Sequence, residues 1–292
     1  MYRRIQIVIS GTETSDGAGV KLRRVFGKPE VPRFDPYLML DFFDSRHPME
    51  YVNGFPWHPH RGIETITFLL AGEIEHSDSL GNSGTISDGD CQWMTAGSGI
   101  VHEELPKPSH HLWGIQLWAN LRAADKMTYP RYRGIPAAKI PLTSDGSSRV
   151  RIIAGSFSGI SGPAQRPDID ACFLDIEIMA SQTFEVAKDP EQTVFALLAG
   201  GQADFDGQST VVRNAGSAVL YERGPEAARK VGIKAGPNGA RLLLVSGKPI
   251  GEPVAWGGPI VMNTREQVDQ AFREYQDGTF IKDKANLGDW HP

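Results

Sequence analysis

Short runs of alternating apolar and polar residues, cut at close intervals by glycine and proline, constrain this chain more than any other feature. Gly occurs 32 times and Pro 20 times in 292 residues. Between them stand "RRIQIVIS", "ETITFLLAG", "HLWGIQLWANL", "ACFLDIEIMA", "TVFALLAGG", "SAVLYE" and "ARLLLVSG". In "FLDIEIM", Leu174, Ile176 and Ile178 fall on one side of an extended backbone and Asp175 and Glu177 on the other. Successive side chains of a strand point to opposite faces, so each run presents one face to a core. Many short strands with turn signals between them predict an all-β sandwich or barrel. One helix is expected near the end. Thr264 is followed three residues later by Gln267, a capping-box pattern. Val268, Ala271, Phe272 and Tyr275 then give one apolar face, and Gly278 supplies a stop. That face predicts packing against a sheet.

The strands also echo one another. "TITFLLAGEIEHSD" (65–78) matches "TVFALLAGGQADFD" (193–206) in style, and each is followed by a Gly-containing strand start, "SDGDCQWM" and "RNAGSAVLYE". Self-similarity of this kind predicts two copies of one β-unit. The boundary is expected in the polar, turn-rich residues 138–149. This gives residues 1–137 as the first unit and 150–292, with the C-terminal helix, as the second.

Bulk properties narrow the function classes. The net charge of -5 and pI near 5.9 argue against direct nucleic-acid binding, which asks for a basic face. No segment approaches the ~20 apolar residues needed to cross a bilayer, so no membrane association is expected. The apolar run in "MYRRIQIVISGTE" is far shorter than a signal-peptide core. Cys91 and Cys172, the two cysteines, fit free thiols in a reducing compartment better than a disulfide. A cytoplasmic location is expected, with the nucleus as an alternative in a eukaryote.

The chemistry gathers in the first unit. Of eight histidines, seven (His47, His58, His60, His76, His102, His110 and His111) lie in the first 111 residues, and the eighth is His291. Residues i and i+2 of a strand share a face, so His58 and His60 project together, as do His102 and Glu104 in "GSGIVHEELP". Three imidazoles and one carboxylate on one sheet face make a mixed N/O donor set. Such a set suits Fe(II), Ni, Cu, Mn or Zn with room for solvent or substrate. An isolated His-x-His is more often ordinary polar surface; the second pair is what raises the metal reading. In an ungapped "LLAG" alignment, Val186 and Lys188 take the places of His58 and His60, so a second unit without metal is expected.

At these residues the chain resembles the pirins, within the cupin superfamily. The matching stretches are "GFPWHPHRGIET", "HSDSLGNSG", "GDCQWMTAGSGIVHEE", "GIQLWANLR", "GKPIGEPV" and "GPIVMNT", with "GAGVKLRRVFGKPE" and "DPYLMLDFF" upstream. The resemblance implies a bicupin: two cupin-type β-barrels with short helices, and a metal in the N-terminal barrel alone. It implies His58, His60, His102 and Glu104 as ligands of one divalent ion, Fe(II) first, with Ni, Cu, Mn, Co or Zn as alternatives. Glu64 stands where many cupins place a ligand glutamate, but pirins resemble one another in not using it, which leaves it behind the ligands or in a salt bridge.

Two functions follow from that resemblance. One is a quercetin 2,3-dioxygenase, opening a flavonol ring with O2 and releasing CO, with Glu104 as general base for the substrate hydroxyl. A flat polyphenol asks for an apolar, aromatic pocket, and Trp57, Phe68, Trp93, Met94 and Trp118 are its candidates by position in the sequence. For each of these alone, core packing is the stronger expectation. The alternative is an iron-dependent redox sensor that binds a transcription factor or metabolic enzyme. There Arg61, beside the ligands, and Lys21, Arg23, Arg24 and Lys28 would form a basic patch, against the simpler expectation of a salt-bridged edge. Cys91 would be an oxidation sensor or, more simply, a buried small hydrophobe.

Overall fold

The computed structural model describes residues 1–207 and 211–282. The chain divides into two compact units with a boundary between residues 137 and 138, and they differ from the expected pair in which unit takes the chain ends. One unit gathers residues 1–12, 32–36 and 138–249; the other gathers 13–31, 37–137 and 250–292. The two chain ends are exchanged: the first strand belongs with the later barrel, and the C-terminal helix with the earlier one.

The unit that carries the histidines is a cupin-type barrel of two sheets. A seven-stranded sheet runs in the order Arg131–Ile135, Cys91–Thr95, Ile63–Ala71, Leu112–Asn120, Tyr37–Ser45, Val20–Phe26, Thr12–Asp16. A four-stranded sheet runs Phe55–His60, Ile100–Pro106, Ile74–Asp78, Ser83–Ile86. Leu38, Met39, Ile63, Met94, Ile100, Trp118 and Tyr132 pack as one buried cluster. The helix α1 (Arg265–Gln276) forms as its capping box predicts. Gln267 N–H donates to Thr264 Oγ1 at 3.3 Å, and the Gln267 side chain accepts from Thr264 N–H at 3.1 Å. Its face buries Val268 and Ala271 with Ile260, Met262 and Phe280, and Val101 packs partly against them. An apolar stripe fits any sheet, which is why its period alone did not say which barrel it covers.

The other unit is built on a nine-stranded sheet: seven strands follow the path Ile5–Ser10, Ser217–Tyr221, Thr193–Asp204, Lys230–Gly247, Cys172–Ile178, Ser148–Ala154, Leu142–Ser144, and off it Thr183–Ala187 pairs with Lys230–Gly247 and Val211–Val212 with Thr193–Asp204. The alternating Ile5–Ser10 strand reaches its place by pairing with Ser217–Tyr221. Arg3, fully buried, anchors that end by donating to the carbonyls of Lys188, Asp189, Gln192 and Ala228. The repeat is visible in the topology. Ile63–Ala71 lies between Cys91–Thr95 and Leu112–Asn120, and Thr193–Asp204 lies between Ser217–Tyr221 and Lys230–Gly247. The interior differs. Leu174, Ile176, Leu198, Val219, Leu242 and Leu244 fill the second barrel, and Val186 packs against them.

Candidate metal centre

His58 and His60 sit on an edge strand, Phe55–His60, whose Pro56 and Pro59 have no N–H to offer a further strand. The strand pairs with Ile100–Pro106 so that His102 faces His58 directly. The register then shifts between His102 and Glu104, a bulge of the kind that re-aims side chains at functional sites. His102 and Glu104 are buried and Glu103 between them is half-buried, as the alternation predicts.

The three imidazoles converge. One ring nitrogen from each of His58, His60 and His102 lies within 4.8 Å of the others. His58 Nδ1 is 2.8 Å from the Pro56 carbonyl, and His60 Nδ1 is 3.1 Å from the Pro259 carbonyl. A carbonyl can only accept, so both Nδ1 atoms carry the proton and both Nε2 atoms keep a lone pair. Those two Nε2 atoms face each other at 3.1 Å. Both nitrogens of buried His102 lack a partner. Buried polar atoms are ordinarily satisfied, and facing lone pairs repel, so this donor set fits a shared cation. Burial and the neighbouring rings keep His60 and His102 neutral: the His60 pKa is lowered to about 3, chiefly by burial and then by His58, and His102 is held well below the usual histidine value by burial first. Neutral imidazole is the ligating form.

Glu104 is buried on the same face but is not one of the three mutually close ligands. Gln116 Nε2 donates to its two oxygens at 2.9 and 3.1 Å, and Thr67 Oγ1 donates to it at 3.4 Å. Gln116 Oε1 in turn accepts from the Trp118 indole at 3.2 Å. Burial pushes the Glu104 carboxyl up, opposed by the nearby His58 ring and by the Gln116 and Thr67 hydrogen bonds. Trp118 also meets the His60 ring edge-on at 5.0 Å and stacks on half-buried Trp256 at 5.8 Å. His76 Nδ1, Gln92 Nε2 and the Tyr132 hydroxyl are buried without partners, and the His76 and Tyr132 rings stack at 4.4 Å. Gln116, Thr67, Gln92, Tyr132 and Trp256 were not singled out in the sequence as parts of this chemistry. A lone glutamine inside the apolar run "GIQLW" was the available signal, because a buried amide needs partners.

Other expected site residues lie elsewhere. Glu64 accepts from Trp93 Nε1 at 2.9 Å and Thr95 Oγ1 at 2.7 Å, on the face opposite Thr67, which removes both Glu64 and Trp93 from the metal face. Phe68 shares that opposite face. Trp57 is 50% exposed and alternates with His58 and His60, so it points away from them. Met94, by contrast, alternates with Trp93 and so shares the face of Gln92 and Thr67, buried in the cluster that contains Trp118 and Tyr132. Arg61 is not a substrate or partner residue at the surface: its buried guanidinium pairs with Glu274 at 2.7 Å. Three of the four residues of the basic run form a salt-bridged edge: Lys21 pairs with Glu50, Arg23 with Glu13, and Arg24 with Asp16 and Asp41, while Lys28 donates to the Trp256 carbonyl at 3.2 Å. Cys91 and Cys172 are free and buried, and burial raises the Cys91 thiol pKa, so Cys91 is an inert small hydrophobe. Among the described residues no helix is long and apolar enough to cross a membrane.

Two cupin barrels, one with three converging imidazoles, define a bicupin with a candidate metal centre. Family models match in two places, Pirin over residues 19–119 and the Pirin C-terminal cupin domain over residues 173–281, and the chain belongs to the pirin family. It is 42% identical over 284 residues to a pirin-like protein of Caulobacter vibrioides, covering 95% of this chain and 99% of that one. It is 40% identical over 284 residues to a Pseudomonas aeruginosa protein provisionally described as a quercetin 2,3-dioxygenase, covering 95% and 98%. A crystal structure of quercetin 2,3-dioxygenase from Acinetobacter baumannii superposes with a TM-score of 0.87 at 26% identity, covering 98% of this chain and 100% of that one.

Proposed function

We propose that the protein is a metal-dependent dioxygenase of the quercetinase type, which opens a flavonol ring with O2 and releases CO. The observation that carries this reading is the group of three imidazoles whose ring nitrogens converge, in a chain similar to proteins bearing that name. His58, His60 and His102 would hold one divalent ion, Fe(II) first, with Glu104 as a fourth ligand when its carboxylate turns from Gln116. Bound there, the ion supplies a Lewis acid that favours the ionised 3-hydroxyl of the substrate.

The chain's own residues do the rest. Glu104, its basicity raised by burial, accepts the 3-hydroxyl proton, and Gln116 and Thr67 steady the carboxylate as it does so. Trp118 and Trp256 offer flat apolar faces to an aromatic ring. Gln92 and Tyr132, buried without partners, supply hydrogen bonds to the hydroxyls of a polyphenol. The regulatory alternative draws less support, because Lys21, Arg23 and Arg24 of the basic run that would recognise a partner are already paired with carboxylates.

The test is to load the purified protein separately with Fe(II), Mn(II), Co(II), Ni(II) and Cu(II). Quercetin absorbance and CO release under O2 are then followed. Turnover with at least one metal is expected. Absence of turnover with all of them would sink the flavonol reading, and redox-dependent capture of a regulator by the same preparation would favour the sensor.

A further inference from the structure

We infer that the C-terminal segment, residues 259–281, is a positioning element of the metal centre, so that metal binding and the docking of this segment stabilise each other. The inference rests on the metal reading above. His58 takes its Nδ1 acceptor from Pro56 in its own strand, but His60 takes it from Pro259, far along the chain. The Pro259 carbonyl fixes the His60 tautomer and ring orientation, which leaves Nε2 free to ligate. Carbonyl partners behind metal-bound histidines act in this way.

The residue after His60 clamps the same segment. Buried Arg61 donates to Glu274 Oε2 at 2.7 Å and to the Phe280 carbonyl at 2.8 Å, with its guanidinium 4.2 Å above the Phe280 ring. Its Nε donates to the Ser98 carbonyl at 2.7 Å, in the turn that leads into the His102 strand. One guanidinium therefore ties together the end of the His60 strand, the approach to His102 and the C-terminal segment. The backbone adds to this: Val261 N–H donates to the Arg61 carbonyl at 3.1 Å, and Lys126 Nζ joins the carbonyls of Gly62 and Val261.

The seat is built for close approach. A Cβ on Gly62 would come within 2.0 Å of the Val261 carbonyl oxygen, and one on Gly99 within 2.9 Å of the Phe280 ring. Val101, on the reverse face of the strand that aims His102 inward, packs against the segment's buried cluster. The segment thus backs both ligand-bearing strands. A coupling of this kind is reciprocal: whatever the docked segment adds to metal affinity, metal adds to docking.

The experiment uses the full chain and Co(II), whose visible ligand-field bands report geometry. The first arm follows hydrogen exchange over residues 265–276 with and without Co(II), in the wild type and in His102→Ala. The second titrates Co(II) into Phe280→Ala, Glu274→Gln and the conservative Phe280→Tyr. Expected are slower exchange with metal in the wild type only, and roughly tenfold weaker Co(II) binding in Phe280→Ala, in the range seen when outer partners of ligands are lost. Altered bands at saturating metal are expected in Phe280→Ala, with affinity and spectrum kept in Phe280→Tyr. A purely structural contact would lower stability and leave the saturated spectrum unchanged. Should Phe280→Ala fail to fold, Glu274→Gln and the wild-type exchange decide. Wild-type affinity and spectrum in folded Phe280→Ala and Glu274→Gln, or exchange indifferent to metal, overturns the inference and leaves the metal site standing. A wild type that binds no Co(II), Ni(II) or Fe(II) overturns both.

Discussion

Replacing Lys126 with methionine separates charge burial from hydrogen bonding in the unit that holds the site. Lys126 is 1% exposed, and its Nζ donates to the Gly62 carbonyl at 2.9 Å, Asn120 Oδ1 at 2.7 Å and the Val261 carbonyl at 3.0 Å. All three acceptors are neutral. Burial lowers the amine from 10.5 to about 8, opposed by the charge of Glu252. The folded protein therefore holds this proton less tightly than the unfolded chain. Wherever the unfolded chain binds more protons, stability rises with pH. The contribution is fully present above 10.5 and is lost as pH falls to about 8. The gap between those values corresponds to about 3 kcal/mol.

Methionine fills a similar volume and does not titrate. It leaves three carbonyl-type acceptors without their donor, at about 1–3 kcal/mol for each that stays dry, and that cost does not depend on pH. The stability lost in Lys126→Met is thus expected to grow by about 3 kcal/mol between about pH 7 and about pH 10.5. Other titrating groups are shared by both proteins and cancel in the difference. Urea unfolding of the two proteins across that range measures it directly. A difference that stays constant with pH would refute the reading of Lys126 as a charge held in a dry site.

Three further outcomes are expected. Gln116→Leu removes the donor that holds Glu104 and the acceptor for Trp118, and metal affinity measured by competitive chelation is expected to fall about 10–100-fold. Glu64→Gln, whose carboxylate serves Trp93 and Thr95, is expected to keep the full metal content by elemental analysis, at a modest cost in thermal stability. The double variant Val186→His, Lys188→His is expected to gain no second metal ion per chain, because leucine, isoleucine and valine already fill that barrel's interior.

What the sequence disclosed follows from which forces are local. Alternation placed His58 with His60 and His102 with Glu104 on common faces, and the strand register then set His102 against His58. The capping box located α1 correctly. The barrel that α1 covers was not legible, since an apolar stripe carries no address. Nor was the pairing of Ile5–Ser10 with Ser217–Tyr221, which is a matter of long-range topology. Arg61 shows the same limit in a single residue. A charged side chain beside ligands reads as exposed, and its burial depends on Ser98, Glu274 and Phe280, which no local period brings together. Gln116 was hidden for the opposite reason, as one polar residue in a strand otherwise apolar.

The central claim is that His58, His60 and His102 hold one divalent ion. Metal content per chain, measured by elemental analysis after reconstitution and desalting, tests it most directly in the wild type, His58→Ala and His102→Ala. One bound ion per chain in the wild type, lost in both variants while the fold is kept, is the predicted result. Full metal content in either variant, or none in the wild type, would contradict it.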